Sequence, residues 1–415
     1  MNGRVTRTPA WTAGGPGIDL AAPEFYTTER HFEVWREARA KHPVAWASSE
    51  AGDFWSITAY EPGMQVLKQP KVFISEQGMR LGGNAVAVRR AAGKMLVVAD
   101  GSKHRRLRGI QASWFTTQAV ANMRPELESK LRAHLDRLIA RGTPFDAVQE
   151  LAAKIPSWIL CQLMGVPKSD WNRLSRLTDA AFNDSDDTRD GMVARVEAHS
   201  EIFSYFGELL EHRRTNPGND IVSTLAHAEV GGEKLTEEEI LFNCDGLMNG
   251  GLETTPHAIA GAILAFTRFP ETWQQLRKDS ELIDAAIDEI LRWTSPPMHV
   301  MRTATEDVTI GEAEVKAGDK VVVWLPSCDR DETIYPDPDR FVIERWPNPN
   351  AHVGFGGGPH YCVGAKLARM EIQVVLELML PLVQEFELAG EIRRKRSNFL
   401  HGFDRLDVTI TPARN

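Results

Sequence analysis

The amino-acid sequence predicts a mainly α-helical protein with a minor β-rich lobe. Between Arg105 and about Phe269 almost every segment repeats its apolar residues at helical spacing, with only turn-rich interruptions. Short alternating β patterns occur only near the N-terminus and in the last third of the chain. Because the sequence shows no internal repeat and no interdomain linker, we predict one domain over residues 1–415, with the lobe built from about residues 40–75, residues 300–330 and the C-terminal strands.

Each element has its own signal in the sequence. Residues 44–46 and 54–60 alternate like a short β-hairpin, whereas residues 75–94 lose periodicity, contain three glycines and predict a long functional loop. A capping box of Thr236 and Glu239 opens a helical pattern that runs to Phe269, which predicts one central helix of roughly 50 Å at about 1.5 Å per residue. Late strands are predicted at residues 308–310, 320–324 and 406–410.

Composition excludes several classes of protein. The chain has 415 residues, 42% of them hydrophobic, and a net charge of -9, which argues against nucleic-acid and membrane-surface binding. Residues 1–26 lack the apolar stretch of a signal peptide, and no run approaches the roughly 18 apolar residues of a membrane span. We therefore expect a soluble cytoplasmic protein, acting as a monomer, with neither membrane nor nucleic acid as partner.

One of the four cysteines lies in an unusual segment. The other three, Cys161, Cys244 and Cys328, have no C-x-x-C spacing and are expected to be ordinary thiols. Cys362 lies in the segment FGGGPHYCVG, residues 355–364, just before a helical pattern. Glycines permit close backbone approach, and the unpaired amides of a helix N-terminus favour a thiolate, as an axial iron ligand requires. An unreactive buried cysteine and a catalytic nucleophile are the alternatives.

The middle of the predicted central helix is also unusual, because it reads GGLETTP from Gly250 to Pro256. Two glycines and a proline are costly inside a helix. Pro256 cannot donate to the Leu252 carbonyl, and the Thr254 hydroxyl can bond back to the Gly250 carbonyl, which would loosen the helix and open a groove. For the Glu253-Thr254 pair alone, a helix cap or a solvent-facing position is the alternative interpretation.

The order F-G-x-G-x-H-x-C-x-G resembles the haem-binding loop of the cytochrome P450 superfamily at every fixed position. The resemblance implies that family's fold, with a long central helix over haem, and implies haem b and dioxygen as cofactor and co-substrate. Thr254 would steady the dioxygen and Glu253 would relay protons to it. Cys362 would bind the iron, and the other residues implied to contact haem are His104, Arg108, Arg302, His360, Phe355, Gly356 and Gly251. For the cations, ordinary solvated charge is the alternative.

Glu289 and Arg292, three residues apart on one helix face, resemble the first two members of the family's buried Glu-Arg-Arg cluster. Arg340 is our third member, and the role of the three is structural. For an isolated pair of this spacing, a surface ion pair worth under about 1 kcal/mol is the alternative.

Electrons are expected from NAD(P)H through separate proteins. A local basic patch on the segments that resemble the proximal face suggests an acidic ferredoxin, served by a ferredoxin reductase, with scattered solubilising charge as the alternative. The patch consists of Arg105, Arg106, Lys366 and Arg369.

The function implied is a haem-dependent monooxygenase that hydroxylates or otherwise oxidises a small organic substrate, a secondary-metabolite intermediate either free or bound to a carrier protein. A non-catalytic haem-thiolate sensor or carrier and a zinc or thiol enzyme are the alternatives. The substrate-contacting residues that the resemblance implies are Asp245, Met248, Asn249, Met298, His299, Val300, Phe399 and Leu400.

Overall fold

The computed structural model describes residues 18–182 and 188–413, and it is mainly helical. Within these residues the helices are α1 (Arg30–Lys41), α2 (Tyr60–Lys68), α3 (Ala85–Ala91), α4 (Gly101–Ala112), α5 (Thr117–Arg141), α6 (Lys154–Leu163), α7 (Trp171–Phe182), α8 (Arg189–Thr215), α9 (Ile221–His227), α10 (Glu237–Leu252), α11 (Thr255–Arg268), α12 (Pro270–Lys278), α13 (Ile283–Thr294), α14 (Leu325–Cys328) and α15 (Ala365–Met379).

The strands form a smaller β portion. They are β1 (Val44–Ala47), β2 (Phe54–Ile57), β3 (Phe73–Ile74), β4 (Phe145–Asp146), β5 (Glu229–Val230), β6 (Glu233–Lys234), β7 (His299–Ala304), β8 (Val308–Ile310), β9 (Ala313–Val315), β10 (Lys320–Trp324), β11 (Val383–Leu388), β12 (Arg393–Arg394), β13 (Phe403–Arg405) and β14 (Asp407–Pro412). The largest sheet has the order β1-β2-β10-β7-β3, in which β10 runs parallel to β2 and antiparallel to β7. The predicted fold class is confirmed, and the hairpin and late strands lie where the sequence indicated them.

The helical core is built around α11. Its residues from Thr255 to Phe266 are all buried, and it packs against α13, α15 and β11. A helix that is apolar all round must lie inside a protein, because no face of it is suited to water. The capping box that opens α10 is present, with the Thr236 hydroxyl accepting from the Glu239 amide. Among the described helices, none is both long and apolar enough to cross a membrane.

Two predicted elements are wrong in detail. Residues 75–94 are not a loop throughout, because α3 forms there with the Asn84 side chain accepting from the Val86 and Ala87 amides as its N-terminal cap. The predicted single central helix is two helices, α10 and α11, interrupted at Glu253 and Thr254. Pro256 explains the interruption, since it lacks the N–H that would continue the hydrogen-bond ladder. The Thr254 hydroxyl donates to the Gly250 carbonyl at 2.8 Å, as predicted.

Candidate active site

A cavity of about 2010 Å³ lies beside the interruption between α10 and α11. Its wall also includes parts of α3, α8, β7 and the loop that carries Cys362. Sites for small ligands usually measure about 300–1,000 Å³. This cavity therefore has room for a large flat cofactor and a substrate together.

Cys362 lies in the wall of this cavity, three residues before α15 begins. Its amide donates to the Phe355 carbonyl at 3.0 Å, which closes the loop. The loop needs glycine because Gly358 has φ +63° and a Cβ there would lie 2.1 Å from the Leu67 carbonyl oxygen. Cys362 lines the cavity, and burial raises the pKa of its thiol, while the Gly364 backbone N–H and Arg108 act in the opposite direction.

A cluster of basic residues lies along the same cavity wall. The rings of His104 and His360 are 4.2 Å apart, and Arg108 and Arg302 also line the cavity. Burial, followed by the charges of His360 and Arg108, lowers the pKa of His104 to about 4, and its Nε2 is buried without a hydrogen-bond partner. Burial likewise lowers the pKa of Arg302 to about 10. His360 Nε2 lies 3.2 Å from Ser75 Oγ and 3.4 Å from Asp100 Oδ1.

These donors fit an anionic planar cofactor. Buried cations are costly unless they are paired, and the unpartnered His104 Nε2 also needs a hydrogen-bonding partner. A porphyrin with two carboxylates and a central iron would supply a hydrogen-bond acceptor to His104, a countercharge to Arg108 and Arg302, and a metal to Cys362. Gly250 and Gly356 line the cavity too, and a Cβ at either would meet nothing within 4 Å, so the backbone there presents an open surface.

Glu253, Thr254 and Gly251 lie at the interruption of the central helix and line the cavity. A Cβ on Gly251 would lie 2.6 Å from Leu160 Cδ2, so close helix packing requires this glycine. Burial raises the pKa of Glu253 to about 7, against the opposing charge of Lys395. The Lys395 Nζ in turn lies 3.4 Å from Oδ1 of Asp179, whose side chain is about half exposed. The two buried residues thus link the cavity wall electrostatically to a carboxylate at the surface.

The predicted Glu289-Arg292 pair is fully buried and not a surface ion pair. Arg292 donates from Nε and Nη2 to the two carboxylate oxygens of Glu289, both at 2.8 Å. The third member that we predicted, Arg340, is wrong, since its side chain is exposed and lies 3.6 Å from Glu271. Only its carbonyl joins the cluster, by accepting from Arg292. Arg345 takes the third place, with Nε 3.4 Å from Glu289 Oε2 and its side chain buried.

The structure divides the predicted substrate residues into two groups. Met248 and Met298 do not line the cavity, and both are packed in hydrophobic core. Met248 is turned about 100° around α10 from its neighbour Asn249, and Met298 alternates with the cavity-lining Pro297 and His299. The residues that do line the cavity are Asp245, Asn249, His299, Val300, Phe399 and Leu400.

Two of the four residues of the predicted basic patch are paired with acidic residues. Arg106 lies 3.5 Å from Glu239, and Arg369 forms an ion pair with Asp288, so both are paired with acids. Arg105 and Lys366 are exposed.

The structure also brings in residues that the sequence analysis missed. Lys395 was missed because it lies far along the chain from Glu253. Glu371 on α15 lines the cavity, its Oε1 is buried without a partner, and burial raises its pKa to about 8 against a hydrogen bond from Thr255. Its helix has an otherwise apolar buried face, so a charged residue there was the available signal.

Comparison with known proteins agrees with this geometry. The family model described as cytochrome P450 matches residues 145–401. Cytochrome P450 NovI from Streptomyces niveus is 36% identical, over 95% of this chain and 96% of NovI. The crystal structure of P450 OxyD, described as involved in the biosynthesis of vancomycin-type antibiotics, has a TM-score of 0.87 and 36% identity and covers 95% of this chain and 100% of OxyD.

A further solved structure shows a related protein with a partner. P450BioI, in complex with acyl carrier protein ligated by hexadec-9Z-enoic acid, has a TM-score of 0.84 and 27% identity, over 94% of this chain and 100% of P450BioI. The matched family model, the two relatives at 36% identity and the cysteine-lined cavity agree: this chain belongs to the cytochrome P450 family and is a haem- and dioxygen-dependent monooxygenase.

Proposed function

We propose that this chain oxidises a secondary-metabolite intermediate, held on a carrier protein, in the cytoplasm, with NAD(P)H electrons delivered by a ferredoxin reductase and a ferredoxin. The observation that carries the reaction class is the cavity bordered by Cys362 and Thr254. The substrate class rests on the likeness to NovI and to OxyD, whose description names antibiotic biosynthesis. When bound, haem supplies iron that activates dioxygen, with electron density donated by a thiolate.

The proposed contacts to haem use the residues around the cavity. Cys362 would hold the iron, with Phe355, Gly356 and Gly251 allowing close approach of the ring. His104, Arg108 and Arg302 would bind the carboxylates, and His360 would join them from its place beside Ser75 and Asp100.

Thr254 is the residue proposed to control the oxygen. Its hydroxyl proton is directed to the Gly250 carbonyl at 2.8 Å, so toward any other group the hydroxyl oxygen acts as a hydrogen-bond acceptor. A fixed acceptor at the cavity wall would accept a hydrogen bond from a reactant held beside it. Thr254 therefore orients the reactant and does not itself supply a proton.

Proton supply is assigned to Glu253, which has a carboxyl pKa of about 7 and can exchange its proton near neutral pH. Lys395 is mostly buried, and its position beside Asp179 provides a charged connection toward the surface. Burial opposes ionisation of Lys395, but Glu253 and Asp179 outweigh this effect and raise its pKa. We infer that Lys395 positions and tunes Glu253.

Replacing Thr254 by alanine is expected to lower the product formed per NADPH by about tenfold or more, within the usual range for the loss of a positioning group. The electrons would appear as hydrogen peroxide, because the oxygen would leave before oxidation of the substrate. The ratio of product to peroxide measures the effect. Thr254→Ser keeps the hydroxyl and should retain coupling; equal coupling in Thr254→Ala and the unmodified protein would contradict the role.

Replacing Lys395 by methionine is expected to move the pKa of Glu253 further above 7, because the charge that lowers this pKa is removed while burial remains. The pH dependence of coupled turnover should therefore shift to higher pH. Lys395→Arg should leave the profile near its original place, and Glu253→Gln should remove the titration. A profile unchanged by Lys395→Met would reject the coupling of these two residues.

Electron delivery is assigned to the surface that contains Arg105 and Lys366. Both side chains are exposed; Arg105 lies on α4, and Lys366 lies on α15, which follows the Cys362 loop. Opposite charge accelerates encounter between redox partners and makes it sensitive to salt. An acidic ferredoxin fits this surface, and the chain is proposed to act as a monomer there.

Carrier delivery is supported by the cavity mouth. Val86 of α3 and Met192 and Val196 of α8 are exposed and also line the cavity, so they lie where the cavity meets the outer surface. Exposed apolar groups at the rim of a polar surface are typical of interaction sites. The complex of P450BioI with a loaded acyl carrier protein provides a related precedent. A flexible carrier arm would place its cargo in the cavity while the carrier body contacts this mouth.

Reconstitution tests the proposal. The purified chain, a ferredoxin, its reductase and NADPH are incubated with carrier-bound intermediates and with the same compounds free in solution. Oxygenated product from the carrier-bound form, with little from the free form, is expected. Product from the free compounds alone would reject delivery by a carrier protein. If the chain binds haem but consumes no NADPH with any of the compounds, the alternative of a non-catalytic haem sensor or haem carrier would be favoured.

A further inference from the structure

Asp245 and Asn249 are two buried polar residues in the cavity that the proposed reaction does not use. They are four residues apart on α10, so they share one face, and both line the cavity. The Oδ1 atom of each is buried and accepts no hydrogen bond. Buried acceptors without partners are rare in folded proteins, because each loses its hydration without replacement.

The carboxylate of Asp245 has a titratable residue beside it. Its one ionic neighbour among the described residues is His199 of α8, whose Nδ1 lies 3.4 Å from Asp245 Oδ1 and which is charged only when protonated. A buried carboxylate oxygen that accepts no hydrogen bond is costly, so a ligand that brings a positive charge and N–H donors is favoured there.

We propose that Asp245 and Asn249 bind a protonated amine of the substrate. This inference rests on the proposed function, since it assigns a substrate class to the same cavity. Both residues offer acceptor oxygens, and the combination of one charged and one neutral acceptor suits an ammonium group with several N–H donors. Neutral alcohols would replace only part of the lost hydrogen bonding and none of the charge.

The helix geometry sets the distance to the reaction. At about 1.5 Å per residue, Asn249 lies about 7.5 Å and Asp245 about 13.5 Å before Thr254 along the helix direction. The bound amine and the oxidised carbon are therefore close enough to belong to one small molecule. This molecule is the cargo of the carrier arm and enters the cavity ahead of the arm. The amine must be unacylated, because an amide carries no charge.

The test compares 4-phenylbutylammonium with 4-phenylbutan-1-ol, a neutral probe of similar shape. Both are titrated into the reduced, carbon-monoxide-bound holoprotein, in which the amine cannot ligate the iron. We expect the ammonium to bind at least about tenfold more tightly, as for sites that match a polar ligand group. Asp245→Asn should remove this preference, and Asn249→Leu should weaken ammonium binding by several fold.

Two further variants separate recognition from structure and from general charge. His199→Gln should retain the ammonium preference, whereas its loss there would assign Asp245 to pairing with α8 and overturn the proposal. Glu197→Gln removes an exposed acid on α8 and should also retain it. An unmodified protein that binds the two probes equally, or a preference that survives in Asp245→Asn, would overturn the proposal. Product formation from carrier-bound substrates, measured separately, decides the proposed function itself.

Discussion

Replacing Cys362 by alanine is expected to abolish the red-shifted Soret band of the reduced, carbon-monoxide-bound protein, together with all monooxygenase turnover. Among the cysteines, Cys362 alone lines the cavity, and its sulfur receives the Gly364 N–H and the field of Arg108. No other thiol can replace it, because Cys161, Cys244 and Cys328 are buried and do not line the cavity. The loss should therefore be complete and not graded.

A matched cysteine variant provides the control. Cys161→Ala removes a sulfur from the helical core and should keep the band, at a modest cost in stability. Haem content measured on both variants separates loss of the ligand from loss of the fold. A band that persists in Cys362→Ala would reject Cys362 as the iron ligand.

Replacing Glu289 by glutamine is expected to destabilise the fold by roughly 3–5 kcal/mol, the usual effect of removing one partner of a buried ion pair. The carboxylate also accepts from the Val342 amide at 2.8 Å and from Trp346 Nε1 at 3.0 Å, so it fastens α13 to the segment before the cysteine loop. Because whole domains are stable by only about 5–15 kcal/mol, this change should lower the denaturation midpoint strongly. Urea titration followed by circular dichroism measures it.

Two arginines, one with a buried side chain and one with an exposed side chain, provide the control. Arg345→Gln removes a buried partner of Glu289 and should be costly, whereas Arg340→Gln removes an exposed ion pair with Glu271 and should cost under about 1 kcal/mol. Equal effects of the two changes would contradict the assignment of Arg345 to the cluster.

The parts of the site that could be predicted are those with local causes. The cysteine loop could be predicted because the close approach of the Gly358 backbone to Leu67 requires glycine at that position. Such a requirement fixes the position of the glycine relative to Cys362 in the sequence. The Thr254 hydrogen bond was predictable because a threonine hydroxyl on a helix can reach the carbonyl four residues earlier. The capping box of α10 was readable for the same reason, since both of its members lie within four residues.

The parts that failed depend on tertiary packing. Arg340 and Arg345 both follow Glu289 at a long distance, and only the turn between them decides which side chain enters the core. Met248 differs from Asn249 by one residue of helix rotation, which a pattern of apolar residues does not resolve. Lys395, just after β12, acts electrostatically on Glu253 from far along the chain, and no local spacing connects the two.

The interruption between α10 and α11 has a consequence for protein engineering. Gly250→Ala would raise helix propensity by about 1 kcal/mol, and a methyl group there would meet no neighbouring atom within 4 Å. Pro256→Ala would restore the backbone N–H that proline lacks. A thermostability screen would thus favour them. Pro256→Ala would nevertheless allow a continuous helix at the interruption, and Gly250→Ala would fill the cavity wall near Thr254. Thermal stability and catalytic turnover therefore place opposite demands on this junction, and selection for stability alone would lower turnover.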